Sequence, residues 1–390
     1  MVKKMFIVAG DPSGDLHGAN LVNALKEMSS QIEIYGLGGE RMEKAGVVLL
    51  DKLTDLAIVG FSEAIINIVA LRRIYRKAKE FLRNEKPDII VLIDYPGFNL
   101  RLASLAKRLK IPLIYYIGPQ IWAWRRGRIK DIAELVNKML VIFPFEEETY
   151  REAGVDVSFV GHPLLDTIQP TKSKEEVYLK YGLDPDFPII GLMPGSRKQE
   201  IERLLSIMLE ASRKIAKNRK AQFVLPLASN IPMSYIKERI TEFEKDRLNR
   251  TKESPLPILV VRDEDYNIRR VMTLALVASG TATLENACLG IPMIIIYKVS
   301  FFSYLLARLL IRIPIIGLAN IVAGKRVVPE FIQRKARSED IAKVACHWLS
   351  NPGIMKEIKK ELEKVRERLG TPGASKRVAK IILEGGTASN

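Results

Sequence analysis

The sequence has few of the residues that bind metals or form disulfides. It contains two cysteines, Cys288 and Cys346, and three histidines among 390 residues. No CxxC pair or Cys/His spacing occurs, which argues against a zinc site and a disulfide framework and fits a reducing cytosol. Only a short apolar run, residues 5–9, follows the first lysines, so no signal peptide is predicted. We therefore expect neither a metal nor a disulfide scaffold.

Acidic residues are in deficit. The chain has 61 Lys and Arg against 45 Asp and Glu, a formal net charge of +16, and residues 101–130 are basic without one acid. Such a face suits nucleic acid, anionic lipid or a phosphorylated substrate. A well-solvated surface is the alternative.

Uncharged apolar runs long enough to span a membrane are also missing. Residues 56–71 lead into a basic cluster, and residues 299–318 contain Arg308, Arg312 and Pro314. Two arginines near the middle of a segment cost about 5 to 7 kcal/mol on insertion, and the proline breaks the helix. An apolar helix with arginines on one side suits a membrane interface or acyl chains, and a buried core helix is the alternative. Together with the basic face, the two segments favour a peripheral membrane protein.

Short apolar runs alternate with helical patterns along both halves of the chain. Continuous rather than alternating apolar strands indicate parallel sheets covered on both faces. We predict two doubly wound, Rossmann-like α/β domains facing a cleft, over residues 1–168 and 186–350. The proline-containing stretch 163–188 is the predicted linker, and helices from about 355 to 390 are expected to pack on the first domain.

Walker A and GxGxxG spacings are absent, but two other loops suit phosphate groups. Each follows an apolar run and begins a helix; the candidate residues are Gly195, Ser196 and Arg197 in the first loop and Ser279, Gly280, Thr281, Thr283 and Glu285 in the second. Backbone N–H groups, hydroxyls and a guanidinium bind a diphosphate, and a carboxylate suits a ribose diol. A capped helix explains either loop alone. Two such loops in one domain favour a nucleotide, and a nucleotide sugar is the class that remains.

Seven strings carry a resemblance to one family. They are "GDPSGDLHG", "DYPGFNLRLA", "GPQIWAWRRGR", "FVGHPLLD", "LMPGSRKQEI", "ASGTATLE" and "GLANIVAGKRVVPEFIQ". In this order they resemble lipid A disaccharide synthases, which have the GT-B fold. The resemblance implies that UDP-2,3-diacylglucosamine and 2,3-diacylglucosamine 1-phosphate (lipid X) are joined with inversion into the β-1,6-linked disaccharide, and that UDP is released. It also implies action at the cytosolic face of the Gram-negative inner membrane, without metal or cofactor.

The resemblance also implies roles for single residues. In GT-B enzymes the first domain receives the acceptor, so the carboxylates of "GDPSGDLHG" face a sugar rather than a diphosphate. Asp94 ends a buried apolar run at the carboxyl edge of a strand and is the preferred base. His17 is the rival base, and a turn cap is the alternative role for Asp94. Arg197 is expected to stabilise the leaving UDP.

Further candidates come from the matched strings. Asp11 is a further catalytic candidate, at a position where the family usually has glutamate. Asn320 matches a family asparagine of the site. Substrate contacts are also expected from Ser13, Gly14, Asp15, His17, Gln120, Trp122 and Trp124. Packing in the core is the alternative role for the two tryptophans. His162 is expected to be structural, at the domain edge.

Three other functions fit parts of the sequence. A UDP-N-acetylglucosamine 2-epimerase would share the fold but needs no apolar segment at 299–318. A non-catalytic protein that binds anionic lipid would need neither phosphate-type loop. A nucleic-acid binder rests on charge alone, without a recognisable motif. A homodimer is left open.

Overall fold

The computed structural model describes residues 2–56, 64–119, 128–299 and 315–385. Contacts divide the chain into two compact units, one of Met1–Asp166 with Leu369–Asn390 and one of Thr167–Arg368. Each described unit is built around one sheet, in which every neighbouring pair of strands is parallel.

The first unit has a seven-stranded sheet of order β3-β2-β1-β4-β5-β6-β7. Its strands are β1 (Lys4–Ala9), β2 (Glu33–Gly38), β3 (Val48–Lys52), β4 (Ile89–Ile93), β5 (Leu113–Tyr116), β6 (Lys138–Val141) and β7 (Val157–Phe159). The helices are α1 (Pro12–Met28), α2 (Glu40–Lys44), α3 (Ala64–Glu85), α4 (Pro96–Leu109), α5 (Arg128–Leu135), α6 (Pro144–Glu152) and α7 (Leu164–Thr167), with a 3₁₀ turn at Leu53–Leu56. All residues of β4 and β5 are buried, as the continuous apolar runs predict.

The second unit has a six-stranded sheet of order β10-β9-β8-β11-β12-β13. Its strands are β8 (Ile189–Met193), β9 (Gln222–Leu227), β10 (Ile258–Arg262), β11 (Leu274–Ala278), β12 (Met293–Tyr297) and β13 (Glu330–Ile332). The helices are α8 (Lys174–Tyr181), α9 (Lys198–Asn218), α10 (Met233–Thr251), α11 (Asn267–Arg270), α12 (Thr281–Cys288), α13 (Leu318–Ala323), α14 (Ser338–Leu349) and α15 (Pro352–Arg368), with a 3₁₀ turn at Gln333–Lys335. The predicted fold class, two doubly wound parallel α/β domains, is confirmed.

The last two helices belong to different units. Helix α15 packs on α12 and α13 of the second unit, whereas α16 (Ala374–Leu383) packs on α1 of the first. From the sequence both helices are expected on the first domain, whereas α15 packs within the second unit. Four residues of α15 are buried, Met355, Ile358, Leu362 and Val365, and this apolar stripe is covered within the second unit.

Candidate active site

Both sheets contain one point at which the strand order reverses. In the first unit this point lies between β1 and β4, where Ala9 pairs with Ile93, and in the second between β8 and β11, where Met193 pairs with Val277. Ligands of doubly wound folds bind beyond the carboxyl ends of the strands at such points. Most of the described candidate residues directly follow these four strands. The strand order therefore indicates, independently of the motifs, that the loops after β1 and β4 and the loops after β8 and β11 are candidate ligand sites.

Asp11 follows β1 and caps α1. Its backbone is extended, with φ −134°, and its Oδ1 accepts a hydrogen bond from the Gly14 amide at 2.7 Å. Gly10 before it lies under the ring of Tyr95, whose Cδ1 would be 2.2 Å from an added Cβ. A larger residue at position 10 would therefore displace Tyr95, and the two loops of this site are packed directly against each other.

Asp94 follows β4 and has a half-buried carboxylate. Burial, and secondly the negative charge of Asp11, raises the pKa of Asp94 to about 6, against an ordinary 3.8, although the Tyr95 amide hydrogen-bonds to it. A carboxylate with this pKa is ionised at neutral pH and is still basic enough to accept a proton. The position and raised pKa of Asp94 are compatible with the predicted role of a general base.

Asp15 has a structural role instead of the predicted contact with substrate. Its carboxylate is buried and accepts the backbone N–H groups of Gly39 at 2.7 Å, Arg41 at 3.1 Å and Met42 at 3.1 Å. These are the unpaired donors at the start of α2. A carboxylate occupied in this way holds α2 against α1 and is not available to a sugar.

His17 is close to the predicted site but poorly suited to act as the base. Burial lowers its pKa to about 4, its Nε2 is 3.5 Å from Ser13 Oγ, and its Nδ1 has no hydrogen-bond partner among the described residues. Ser13 itself is exposed. His162 is buried, which is compatible with the structural role expected for it. Its backbone N–H donates to Leu369 O at 2.8 Å, and burial, and secondly the charge of His17, lowers its pKa to about 3.

The loop after β8 already holds an anionic group. Gly195 has φ +117°, and the Glu200 carboxylate accepts the N–H groups of Ser196 at 3.1 Å and Arg197 at 3.3 Å. The Asn230 amide fixes Ser196 O at 2.7 Å. The backbone donors expected to bind a diphosphate are thus capped, and a phosphate would bind them only if Glu200 turned away. Glu200 is not among the residues predicted from the sequence, although Arg197-x-x-Glu200 has the spacing of a capping box.

Arg197 is a largely exposed cation of this loop. Its side chain is 81% exposed, and its one ion pair among the described residues is with Glu200 at 3.2 Å. A guanidinium that is mostly in solvent can reorient toward a ligand without breaking a buried contact.

The loop after β11 divides into buried and open parts. Thr283 is fully buried and donates to Gly280 O at 2.8 Å, and Ser279 donates to Ile316 O at 3.0 Å. Thr281 is exposed, and nothing lies within 4 Å of a Cβ placed on Gly280. The open positions suit a ligand. Thr283 instead holds the shape of the loop, and its burial does not fit the predicted contact with substrate.

Glu285 and Asn320 are held by protein partners. Glu285 forms an ion pair with Arg269, which also lies 3.3 Å from the buried Asp263 carboxylate. Asn320 is fully buried; its amide donates to Val328 O and to Glu330 at 2.9 Å each, and its Oδ1 accepts two backbone N–H groups. Asn320 therefore positions the segment after α13, and the predicted direct contact with substrate does not fit its burial.

Three candidates, Gln120, Trp122 and Trp124, lie outside the described residues. Most of the apolar segment 299–318 and part of 56–71 also lie outside them. On the described part of α3, Ile68 and Val69 are 49% and 64% exposed. No helix within the described ranges combines the length and hydropathy needed to cross a membrane.

Solved structures with similar folds define the class. A UDP-GlcNAc 2-epimerase from Neisseria meningitidis, solved with UDP-GlcNAc, aligns with a TM-score of 0.63 at 14% identity and covers 98% of this chain and 100% of its own. A glycosyltransferase from Rickettsia africae aligns with a TM-score of 0.59 at 12% identity, over 100% of both chains. The fold is that of the GT-B glycosyltransferases and their epimerase relatives.

Sequence relatives define the family. Residues 5–384 match the family LpxB, described as lipid-A-disaccharide synthetase. The lipid-A-disaccharide synthase of Syntrophus aciditrophicus is 46% identical over 98% of this chain and 97% of its own, and that of Coxiella burnetii is 39% identical over 97% and 98%. The chain belongs to the lipid-A-disaccharide synthase family of glycosyltransferases.

Proposed function

We propose that this protein transfers 2,3-diacylglucosamine from UDP-2,3-diacylglucosamine to the primary hydroxyl of lipid X, with inversion. The observation that carries the proposal is the half-buried Asp94 at the reversal point of a sheet, with a pKa raised to about 6, in a chain of this family. Its product would be the β-1,6-linked tetraacyl disaccharide 1-phosphate.

In this proposal the first unit binds the acceptor. Asp94 accepts the proton of the hydroxyl as the hydroxyl oxygen bonds to the anomeric carbon of the donor. The bond from that carbon to the diphosphate oxygen breaks, and UDP leaves with the electron pair. Burial, and secondly the charge of Asp11, keeps the pKa of Asp94 raised, and Gly10 leaves room for the ring of Tyr95 over the loop.

The second unit is proposed to bind UDP. Arg197 offers a guanidinium fork at the N-terminus of α9, where the helix dipole also favours an anion. Gly280 and Thr281 at the start of α12 provide an open approach to a phosphate or sugar. Negative charge that develops on the departing diphosphate is then stabilised by Arg197 and the N-terminus of α12, and by the N-terminus of α9 once Glu200 turns away from it.

We further propose that the protein acts as a peripheral membrane protein at the cytosolic face of the inner membrane. The net charge of +16 and the exposed Ile68 and Val69 support binding to an anionic lipid surface, where both acylated substrates are found.

UDP release tests the function directly. Purified protein receives UDP-2,3-diacylglucosamine in detergent micelles with EDTA, with and without lipid X, and UDP is quantified. Release only with both lipids is the expected result. UDP binding without release would indicate another sugar or acceptor on the same fold, such as the substrate of an epimerase, and absence of UDP binding would favour a non-catalytic lipid-binding protein.

The base is tested by Asp94→Asn. This variant should fold and bind UDP normally but lose most turnover, because an amide cannot accept the proton. Normal turnover would remove Asp94 from this role.

A further inference from the structure

The main chain beside the proposed base has an uncommon conformation. Asp94 and Tyr95 both lie in the left-handed region, with φ 45° and 46°, and neither is glycine. A left-handed L-residue costs roughly 1 to 2 kcal/mol, so two in succession require support from their surroundings. Ile117, which accepts the Asp94 N–H at 3.1 Å, also has a positive φ of 58°.

Two buried side chains supply that support. Asn99 Nδ2 donates to Asp94 O at 2.7 Å and to Ile93 O at 3.1 Å, and Tyr115 Oη donates to the same Asp94 carbonyl at 2.6 Å. Asn99 and Tyr115 are both fully buried. Both lone pairs of one carbonyl are thus occupied by side chains from two different elements, α4 and β5.

This arrangement exceeds what folding alone requires. One donor would satisfy the Asp94 carbonyl, and a phenylalanine would fill the space of Tyr115 without bringing a hydroxyl into the core. Asn99 moreover has its Oδ1 buried without a hydrogen-bond partner among the described residues. Polar groups in a core at such a cost are expected where a backbone conformation has to be fixed for function.

We propose that Tyr115 and Asn99 are positioning residues that fix the proposed base by holding its main chain in the left-handed conformation. The inference rests on the proposed function, since it assigns them to the proton transfer. If the carbonyl loses a donor, Asp94 and Tyr95 relax toward ordinary φ values and the carboxylate moves away from the acceptor hydroxyl. A displacement of about 1 Å is enough to reduce a rate by about 100-fold.

The first test is Tyr115→Phe, which removes one oxygen and keeps the ring. We expect kcat to fall about 10- to 100-fold, with KM for lipid X within about twofold and the melting temperature little changed, because Asn99 still bonds the carbonyl. The matched control is Tyr116→Phe on the same strand. Tyr116 is also fully buried, but the charged and polar groups that act on its hydroxyl are Asp166, Ser375 and Arg377, whereas Asp94 acts on the hydroxyl of Tyr115. The kcat of Tyr116→Phe should therefore stay at the wild-type value.

A double-mutant comparison separates positioning from general loss of structure. In an Asp94→Asn background, Tyr115→Phe should lower the residual turnover no further, since the base it positions is gone. An equal fold-loss in both backgrounds would overturn the inference, as would wild-type kcat in Tyr115→Phe. Asn99→Ala removes the other donor to the same carbonyl. It should likewise lower kcat in the wild-type background and lower turnover no further in the Asp94→Asn background.

The controls also separate this inference from the proposed function. Full turnover in Asp94→Asn would contradict the assignment of Asp94 as the base, and it would therefore also contradict the positioning role of Tyr115 and Asn99. An inactive Asp94→Asn together with a fully active Tyr115→Phe would contradict only the positioning role.

Discussion

The ionisation of Asp94 should set the acidic limb of the pH profile. A base must be deprotonated to act, and the pKa of Asp94 is raised to about 6, so kcat/KM should fall about tenfold per pH unit below that value. In Asp11→Asn the second cause of the raised pKa is removed. The limb should then move to lower pH, while burial, the larger cause, keeps it above 3.8.

Measured profiles of the two proteins check this shift. Asp88→Asn is the matched control: it removes the same charge at the other end of β4, where Asp88 accepts the N–H groups of Lys3 and Lys4 at 2.8 Å each. Its limb should coincide with that of the wild type. An unmoved limb in Asp11→Asn would show that Asp11 does not act on the base.

Asp94 should also make the protein less stable at neutral pH. Its folded-state pKa lies above the unfolded value, so the protonated form favours folding below about pH 4, and this contribution is lost as pH rises through 6. The difference amounts to about 3 kcal/mol at most. Asp94→Asn, which stays neutral, should therefore have a higher melting temperature than wild type at pH 7.5 and nearly the same one at pH 4.

Calorimetry at the two pH values tests that expectation. A variant less stable than wild type at pH 7.5 would mean that the ionised carboxylate makes favourable contacts that outweigh its burial.

Sequence could locate some functional residues but not assign others. Asp11 and Asp94 were predictable because each directly follows a buried strand, and parallel strands end at one edge. The structural roles of Asp15 and Asn320 were not, because burial and backbone partners decide them. Asp15, for example, accepts N–H groups 24 to 27 residues away. A carboxylate that holds a helix and one that holds a sugar look alike in a motif.

The two glycine loops should respond differently to one added methyl group. In Gly195→Ala the Cβ would lie 2.3 Å from Glu200 Oε2 at φ +117°, so the variant should lose about 1 to 3 kcal/mol of stability and bind UDP weakly. Gly280 has an extended backbone with open space around it, so Gly280→Ala should melt like wild type. It should nevertheless bind UDP more weakly, because the methyl group occupies the proposed approach of the ligand.

Thermal melts and UDP titrations of both variants give the comparison. Unchanged UDP affinity in Gly280→Ala would place the nucleotide away from α12.

Arg197→Ala should weaken UDP binding by about 10- to 100-fold, because one or two charge-assisted hydrogen bonds contribute a binding free energy of that size. Lys198→Ala is the matched control at the same end of α9. It removes an equal charge, but its ammonium lies 5.4 Å from the ring centre of Tyr235. Titration calorimetry should show a large loss only for Arg197→Ala, and equal losses would mean that charge alone, not the guanidinium, attracts the nucleotide.

The double-domain architecture was predictable from the alternation of apolar runs, but the path of the chain end was not. Helices α15 and α16 have similar amphipathic patterns, and a pattern shows that a helix has an apolar face without showing which surface covers it. Contacts distant in sequence decide that: Leu369 O accepts the His162 N–H at 2.8 Å, and Asp166 accepts the Gly373 N–H at 2.5 Å.

The C-terminal segment after residue 368 belongs to the first unit, so the stability of that unit should depend on it. Arg377 on α16 donates to Val160 O, at the end of β7, at 2.8 Å and to Pro372 O at 2.9 Å. Arg377→Ala removes these bonds and leaves carbonyls unpaired, so the melting temperature should fall by several degrees. Lys380→Ala should melt like wild type, because its partner Glu384 is 3.8 Å away and its side chain is 71% exposed. UDP affinity, assigned to the second unit, should be unchanged in both variants, and a joint loss of stability and UDP affinity in Arg377→Ala would show that the units do not respond separately.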